Sequence, residues 1–318
     1  MPRPLRFTAA RPVRRHMPVH DTARRDRQIA LAGRLIAGGT FLLLAGCQAA
    51  LLDPRGPVGR AERQILINSM AIMLAIVVPT IVATLAFAWW FRASNKRARY
   101  LPTWAFSGRI ELVVWSIPIM VILLLGGVTW LSSYQLDPAR PIASDHKAID
   151  IQVVALDWKW LFIYPEHGVA AVNELVVPAG VPLHFTLTSA SVFNTFFVPQ
   201  LGSMIYTMHG MATELHLHAD EPGTYRGMSA HFSGDGFSDM HFPVRALPAA
   251  EFEAWVTATR AAKRPLDSAG YAALAKQSIE PRPILFSAVE NDLFDRIVQR
   301  ALPPGPGPVL EHGGAKEK

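Results

Sequence analysis

Two long uncharged stretches dominate the hydrophobic pattern of the first half of the chain. No charged residue occurs from Ile65 through Phe91, and none occurs from Leu112 through Leu136. Each stretch exceeds the ~20 apolar residues that a helix needs to cross the hydrocarbon core of a bilayer. The pattern therefore predicts a hairpin of two transmembrane helices, over residues 65–91 and residues 111–136.

After the second stretch, the pattern changes to the period-two alternation of half-buried β-strands. Leu183, Phe185 and Leu187 alternate with polar residues, and Thr213–His218 repeats this pattern. Further strands are predicted at 149–156, 158–164, 174–177, 192–198, 224–228 and 240–244. Many short strands separated by turns are typical of a β-sandwich or barrel. The fold class is thus a membrane protein with a helical hairpin followed by an all-β sandwich domain.

The remaining segments complete the domain organisation. Residues 137–147 contain two prolines and are predicted to be a linker, and residues 148–247 contain the predicted strands. In residues 248–302 apolar side chains recur at helical spacing, which predicts a short helical C-terminal segment. Residues 303–318 are rich in proline and glycine and lack an apolar pattern, so we expect a disordered tail.

The positive charge of the chain is concentrated at its N-terminus. The formal net charge is +6, but nine arginines and only two aspartates precede residue 47, so this segment carries +7 and the remainder −1. Proteins that bind nucleic acid usually carry a basic patch on the folded domain. The near-neutral remainder therefore argues against a nucleic-acid partner.

The single cysteine, Cys47, ends the sequence L-A-G-C, which follows a basic region and a short apolar run. This order is that of a bacterial lipoprotein signal, in which the cysteine is acylated after cleavage. We therefore predict a signal peptide over residues 1–46, a lipid on Cys47 and an exported N-terminal segment over residues 47–64. Met1 and Met17 both fit as the start. The alternative is a buried segment with an incidental thiol. It would require the basic region, the apolar run and the small residues before Cys47 to coincide by chance.

The loop at 92–110 between the predicted helices is strongly basic and contains no acidic residue. Its charged residues are Arg92, Lys96, Arg97, Arg99 and Arg109. Since basic loops stay in the cytoplasm, the β domain and the N-terminus of the mature chain are expected in the periplasm, outside the inner membrane. Glu111 lies where the second helix begins. A carboxylate at a membrane edge is either functional or paired with a neighbour such as Arg109.

The segment Tyr225–Met240, YRGMSAHFSGDGFSDM, resembles the copper-binding loop of subunit II of cytochrome c oxidase. That resemblance places the ligand positions of the dinuclear copper centre on five residues of this chain: Asn194, Ser229, Ser233, Phe237 and Met240. Cysteine stands at the two serine positions in the copper proteins, and histidine stands at Asn194 and Phe237. Thiolates hold copper in such a site, and serine hydroxyls do not replace them at neutral pH. We therefore expect the fold without the metal.

A wider set of segments resembles subunit II of the bo-type ubiquinol oxidases, a branch of the haem–copper oxidase superfamily. These segments are Asp157–Phe162, Asn194–Pro199, Leu201–Ser203, Glu221–Tyr225 and Ser233–Met240. The resemblance covers nearly the whole chain and implies a cupredoxin-like domain that has lost its copper, in a proton-pumping ubiquinol:oxygen oxidoreductase of the aerobic respiratory chain.

The same resemblance implies the cofactors and partners. Haems and copper are expected in subunit I, which oxidises ubiquinol, and this chain is expected to bind no cofactor. Its partners would be subunits I, III and IV and membrane lipids, with no role for cytochrome c. In the superfamily a glutamate at the position of Glu111 lies at the mouth of a proton pathway into subunit I, so Glu111 is the proton-uptake candidate.

Histidines offer a different metal site as an alternative. The candidates are His209, His216, His218, His231 and His241. Glu214, His216 and His218 project from one face of a strand, and imidazoles two residues apart can share an ion. We interpret this face as an exposed polar surface, because no further ligands occur at a recognisable spacing. The rings of Trp158 and Trp160 are expected in the sandwich core.

Two other functions are compatible with the sequence. One is a conventional cytochrome c oxidase subunit, which would need thiolates from another chain. The other is a lipid-anchored cupredoxin-fold protein that binds or assembles partners without being a stable part of an oxidase. Such a protein would purify without haem, whereas an oxidase subunit would purify with it.

Overall fold

The computed structural model describes residues 50–99, 101–280 and 282–307. The predicted signal peptide, the lipidation site Cys47 and residues 308–318 of the predicted tail lie outside the described residues. Within the described part, a short 3₁₀ turn at Ala50–Leu52 precedes two long helices, and a β-sandwich with a C-terminal segment follows.

Two helices of the described chain are long and apolar enough to cross a membrane: α1 (Pro57–Trp90) and α2 (Gly108–Gln135). They contain both predicted stretches, but α1 begins eight residues before its uncharged stretch. Its first turns are polar because they pack on the β domain, where Gly59 N–H donates to Leu201 O at 3.2 Å and Arg60 pairs with Asp220. The remaining apolar side chains of both helices are exposed, as expected of surfaces that contact lipid or partner subunits.

The β-strands of the described chain are short and follow one another closely. They are β1 (Ile149–Leu156), β2 (Lys159–Tyr164), β3 (Val169–Val172), β4 (Leu175–Pro178), β5 (Pro182–Ser189), β6 (Asn194–Phe197), β7 (Ile205–Thr207), β8 (Thr213–His218), β9 (Gly223–Ser229), β10 (His241–Leu247), β11 (Pro265–Leu266), β12 (Ile284–Phe286) and β13 (Ala288–Val289). One sheet has the order β12-β3-β2-β1-β5-β8, and the other has the order β4-β10-β9-β6-β7. Strands β11 and β13 form a small separate pair.

The core between the two sheets is aromatic. Trp160 and Phe162 from β2 meet Phe196 from β6 and Phe242 from β10, with Trp160–Phe196 ring centroids 5.4 Å apart and Phe162–Phe242 centroids 5.0 Å apart. Tyr164 connects the sheets, since its hydroxyl accepts from Val176 N–H and donates to Val176 O, both at 2.9 Å. Edge-to-face and tilted ring pairs of this kind stabilise a core beyond their buried area.

The other face of the six-stranded sheet is covered by the C-terminal segment. Helices α3 (Ala249–Arg260), α4 (Ser268–Leu274) and α5 (Leu293–Val298) belong to this segment. Tyr271 of α4 and Phe294 of α5 pack in a second core on Leu161 and Ile163 of β2. Because β2 is buried on both faces, its sequence after Lys159 is continuously apolar instead of alternating.

The C-terminal segment differs from the prediction in two ways. It contains strands as well as helices, and β12 pairs with β3 at the edge of the larger sheet. The predicted disorder is wrong for residues 303–307, because Gly305 N–H donates to Ala190 O at 2.9 Å and Gly307 N–H donates to Asp157 Oδ2 at 3.0 Å. Proline and glycine in this stretch reflect close packing on the β domain.

Candidate functional site

Four of the five residues that the resemblance places at copper-ligand positions come together at one end of the five-stranded sheet. Asn194 begins β6 and Ser229 ends β9, and these strands pair with Phe196 opposite Ser229. Ser229 N–H donates to Met240 O at 2.9 Å, which places Met240 beside them just before β10. Ser233 lies in the loop between β9 and β10. We call Asn194, Ser229, Ser233 and Met240 the lost-ligand cluster.

The lost-ligand cluster is closed by its own hydrogen bonds. Asn194 Nδ2 donates to Met240 Sδ at 3.2 Å, and Ser233 Oγ lies 3.9 Å from the same sulfur. Ser229 Oγ donates to Asn194 Oδ1. All four side chains are at least nine-tenths buried. The amide of Asn194 and the hydroxyl of Ser229 are thus hydrogen-bonded to each other. The Met240 sulfur accepts only from neutral groups, the Asn194 amide and the Ser233 hydroxyl.

Copper does not fit this cluster. Cysteine and histidine bind copper as thiolate and imidazole, whereas the groups present are two hydroxyls, one amide and one thioether. The thioether is also engaged by the Asn194 amide. Across residues 50–99, 101–280 and 282–307, no group of three or more His, Cys, Asp or Glu side chains is placed to hold a metal ion.

Phe237, at the fifth position, lies at the rim of the cluster. It begins the 3₁₀ turn Phe237–Asp239, is half-buried, and packs edge-on against Phe232 with ring centroids 5.7 Å apart. His231 contributes its carbonyl, which accepts from Ser229 Oγ at 3.2 Å, while its ring is exposed and meets the Phe193 ring at 4.8 Å. An aromatic rim therefore surrounds a neutral interior.

Trp158 holds the loop of this site, which the sequence did not predict. Its φ is +64°, an unusual backbone conformation for a bulky residue, and its indole N–H donates to Ser233 O at 3.1 Å. A Cβ at Gly236 would approach the indole ring to 2.3 Å, so only glycine allows this contact. The core prediction is confirmed for Trp160, which is fully buried, and is wrong for Trp158, which is half-buried on the loop.

The histidines on the six-stranded sheet are less exposed than predicted. His216 is only 9% exposed, and its ring stacks on His184 at 4.6 Å, while His184 Nδ1 lies 2.7 Å from Asp150 Oδ1. Burial, and then the neighbouring His184 ring, lower the pKa of His216 below its usual value. The interpretation as an exposed polar face is therefore wrong for His216, which is a buried neutral imidazole at pH 7.

A buried lysine is a second residue that the sequence did not indicate. Lys159 is fully buried, and its Nζ donates to Lys276 O at 2.7 Å and to Ser278 Oγ at 2.6 Å. Burial lowers the pKa of this amine from its usual value. Lys159 thereby attaches the C-terminal segment to β2. Its place in a run of aromatic and aliphatic residues was the available signal, since charged residues are rarely buried without partners.

Glu111 lies in the first turn of α2, where its backbone N–H donates to Ser107 O at 3.0 Å. Its side chain is exposed, and it forms no ion pair with Arg109 or with any other residue in the described part of the chain. The carboxylate is therefore available at the end of the hairpin opposite the β domain.

Fold and site together define a class of protein: a second subunit of a haem–copper oxidase whose cupredoxin-like domain contains no cysteine. Residues 121–247 match the family model "Cytochrome C oxidase subunit II, periplasmic domain", and residues 260–305 match the model "COX Aromatic Rich Motif". The chain belongs to the ubiquinol oxidase subunit 2 family, as its similarity to curated relatives shows.

Two of these relatives align over most of their length. The cytochrome bo(3) ubiquinol oxidase subunit 2 of Pseudomonas aeruginosa is 48% identical over 272 residues, which cover 86% of this chain and 82% of the relative. The ubiquinol oxidase subunit 2 of Acetobacter aceti is 46% identical over 278 residues, which cover 87% of this chain and 90% of the relative. A solved structure, the periplasmic domain of subunit II of cytochrome oxidase from Bradyrhizobium japonicum, is 23% identical, covers 37% of this chain and 96% of that chain, and has a TM-score of 0.35.

Proposed function

We propose that this chain is the subunit of a proton-pumping ubiquinol oxidase that carries no redox centre of its own. The lost-ligand cluster is the observation that supports this proposal, since its buried groups are neutral, mutually hydrogen-bonded and free of thiolates. Electrons would pass from ubiquinol to the haems and copper of subunit I without entering the β domain. A donor dissolved in the bilayer can reach subunit I directly, which removes the need for a copper relay.

The proposed orientation places the β domain in the periplasm. The loop between α1 and α2 carries Arg92, Lys96, Arg97 and Arg99, and such basic loops are retained in the cytoplasm. An acylated Cys47 would then lie on the same side as the β domain. Two inserted helices hold a protein more firmly than acyl chains do, so the lipid would position the N-terminal segment and would not be needed for retention.

An exposed aromatic patch is the proposed contact of the β domain with subunit I. The patch consists of two groups of rings, which the sequence neighbours His231 and Phe232 join. Phe193, Tyr206 and His231 contact one another with ring centroids 4.6 to 6.5 Å apart, and Phe232 contacts Phe237 at 5.7 Å. Phe232 is 70% exposed in the isolated chain. Exposed apolar patches of this kind mark interaction sites.

The patch begins close to the membrane-facing side of the domain. Ser203 Oγ donates to Glu62 of α1, and Tyr206 follows three residues later, within about 10 Å along the chain. Subunit I is embedded in the same membrane, so a patch at this level can cover its outer surface. The relatives are named as subunits of oxidases, which is consistent with such a partner.

Substituting Phe232→Glu should weaken the association with subunit I by about 2 kcal/mol or more, because a charge would be desolvated in an apolar interface. Haem recovered per tagged chain after purification measures the effect. Ile279→Glu is the matched control, since Ile279 is also exposed, at 49%, but belongs to the C-terminal segment. Equal haem recovery from both variants would show that the patch does not contact subunit I.

The function itself is tested on the complex purified through this chain in mild detergent. We expect haem to co-purify, ubiquinol to be oxidised with oxygen as the acceptor, and reduced cytochrome c to be left unoxidised. Oxidation of cytochrome c would contradict the proposal, and purification without haem would favour a binding or assembly protein instead. The mass of the N-terminal peptide in the same preparation checks the predicted acyl group on Cys47.

A further inference from the structure

A cavity of about 280 Å³ lies where the helical hairpin joins the β domain. Its wall is formed by the first residues of α1, by the end of α2 and the linker (residues 135–138 and 140–143), and by Ser203, Leu215 and His216 of the β domain. The cavity therefore lies where the start of α1 and the end of α2 meet the β domain. Neither the lost-ligand cluster nor the aromatic patch includes these residues.

His216 gives this cavity an unsatisfied polar group. The side chain is nine-tenths buried, and Nδ1 has no hydrogen-bond partner in the described part of the chain. Buried polar atoms are nearly always hydrogen-bonded, so an unpaired one indicates a missing water, ion or ligand. With its single proton on Nδ1, the neutral imidazole can donate one hydrogen bond to an acceptor in the cavity.

The start of α1 adds one main-chain donor, Val58 N–H, because Pro57 has no N–H and Gly59 N–H donates to Leu201 O. Gly56 is the N-cap residue and Pro57 follows it, and this 34-residue helix has no side-chain cap. A Cβ at Gly56 would lie 2.3 Å from His218 O, so a capping serine or aspartate is sterically excluded. Helix N-termini carry a partial positive charge and bind anions, phosphate above all.

Arg140 supplies a full positive charge to the same wall. The only hydrogen bond of its guanidinium group in the described residues is a long one, 3.4 Å, to Tyr134 O, and the group forms no ion pair there. Asp137 is the acidic residue of the wall, but its Oδ1 accepts from Ala139 N–H at 3.0 Å within its own turn. A planar guanidinium presents paired donors that match a phosphate group.

We propose that this cavity binds the phosphate head group of a membrane phospholipid, with Arg140 and the N-terminus of α1 contacting the phosphate and His216 Nδ1 completing the hydrogen bonds. The position at the ends of both helices favours a lipid over a free anion. Trp130 and Tyr134, paired at 5.3 Å on the last turns of α2, are typical of the head-group region. The exposed apolar sides of α1 and α2 would accommodate the acyl chains.

The test uses the whole complex and measures bound phospholipid per haem by mass spectrometry. Arg140→Gln removes the charge at an exposed position, and His216→Phe keeps a ring that can stack on His184 but removes the nitrogen. We expect each variant to bind the phospholipid about tenfold more weakly than the natural complex. After purification, each variant should therefore retain about one phospholipid fewer per complex. Arg226→Gln and His241→Phe, both exposed and outside the cavity, are matched controls that should retain it.

A second measurement separates the two sources of phosphate. Delipidated wild-type complex should gain thermal stability from phosphatidylglycerol micelles but not from inorganic phosphate, and Arg140→Gln should show little gain. An equal gain from inorganic phosphate would overturn the lipid assignment. Unchanged lipid content in Arg140→Gln would show that this cavity does not bind a phospholipid through Arg140. Since neither readout involves electron transfer, both outcomes are independent of whether ubiquinol is the donor.

Discussion

Replacing Ser229 and Ser233 with cysteine, and Asn194 and Phe237 with histidine, should give this chain a copper centre that its own sequence does not provide. Three of these four positions already surround Met240 in the lost-ligand cluster, so the backbone brings most of the ligand positions together. Thiolates and imidazoles are the donors that copper prefers. We expect about two copper ions per chain, the number that the resemblance to the copper proteins implies.

The measurement is copper per chain in the full-length protein purified without subunit I, together with the paramagnetic signature of a paired-metal centre. The matched control carries the two histidines but keeps both serines, and it should bind copper no better than the natural chain, because the bridging thiolates are missing. A substituted chain that folds and binds no copper would show that the loop no longer positions its ligands.

This substitution also has a predictable cost in the absence of metal. Asn194 is 1% exposed, and its Oδ1 accepts from the main-chain N–H of Thr195 at 2.9 Å. A histidine at this position overfills the site and loses that bond, which costs about 1–3 kcal/mol. Metal binding would offset the cost, since a ligand that binds only the folded state stabilises it. The variant should therefore unfold more readily without copper than with it.

The sequence predicted the membrane hairpin and the β domain well, because both depend on patterns that repeat along the chain. Uncharged stretches longer than a bilayer need no tertiary information, and the predicted strand Ile149–Leu156 is present with those bounds. The three residues of β12 carry too few side chains to show a period, and their pairing with β3 joins segments more than a hundred residues apart. Such contacts depend on the tertiary fold and not on local pattern.

The candidate site was predictable in chemistry but not in geometry. Serine in place of cysteine is visible in the sequence, and so is the expectation that thiolates are needed for copper. The positive φ of Trp158 and the hydrogen bond from Asn194 to Met240 arise only when the loop folds. Alternation places His216 opposite the core and so predicts an exposed ring, but the linker after α2 packs on that face, where His216 N–H donates to Pro138 O at 2.9 Å. When a segment distant in sequence buries a side chain, the hydrophobic pattern of the strand does not show it.

Substituting Glu111→Gln should slow oxygen reduction by ubiquinol at least about tenfold while the complex still assembles, because the variant keeps the size of the side chain but cannot carry the proton. Glu111 is exposed at the first turn of α2 and has no ion-pair partner in the described residues, so a proton pathway of subunit I could begin at its carboxylate.

Turnover per haem, measured with ubiquinol in the purified complex, tests this role for Glu111. Glu251→Gln is the matched control, because Glu251 is also an exposed carboxylate in the first turn of a helix, α3, but lies in the C-terminal segment far along the chain. Glu111→Asp should restore part of the rate, since it retains a carboxyl group at a slightly shorter reach. If Glu111→Gln turns over as fast as the natural complex with full haem content, the carboxylate does not conduct protons, and its exposure at the membrane edge reflects solvation alone.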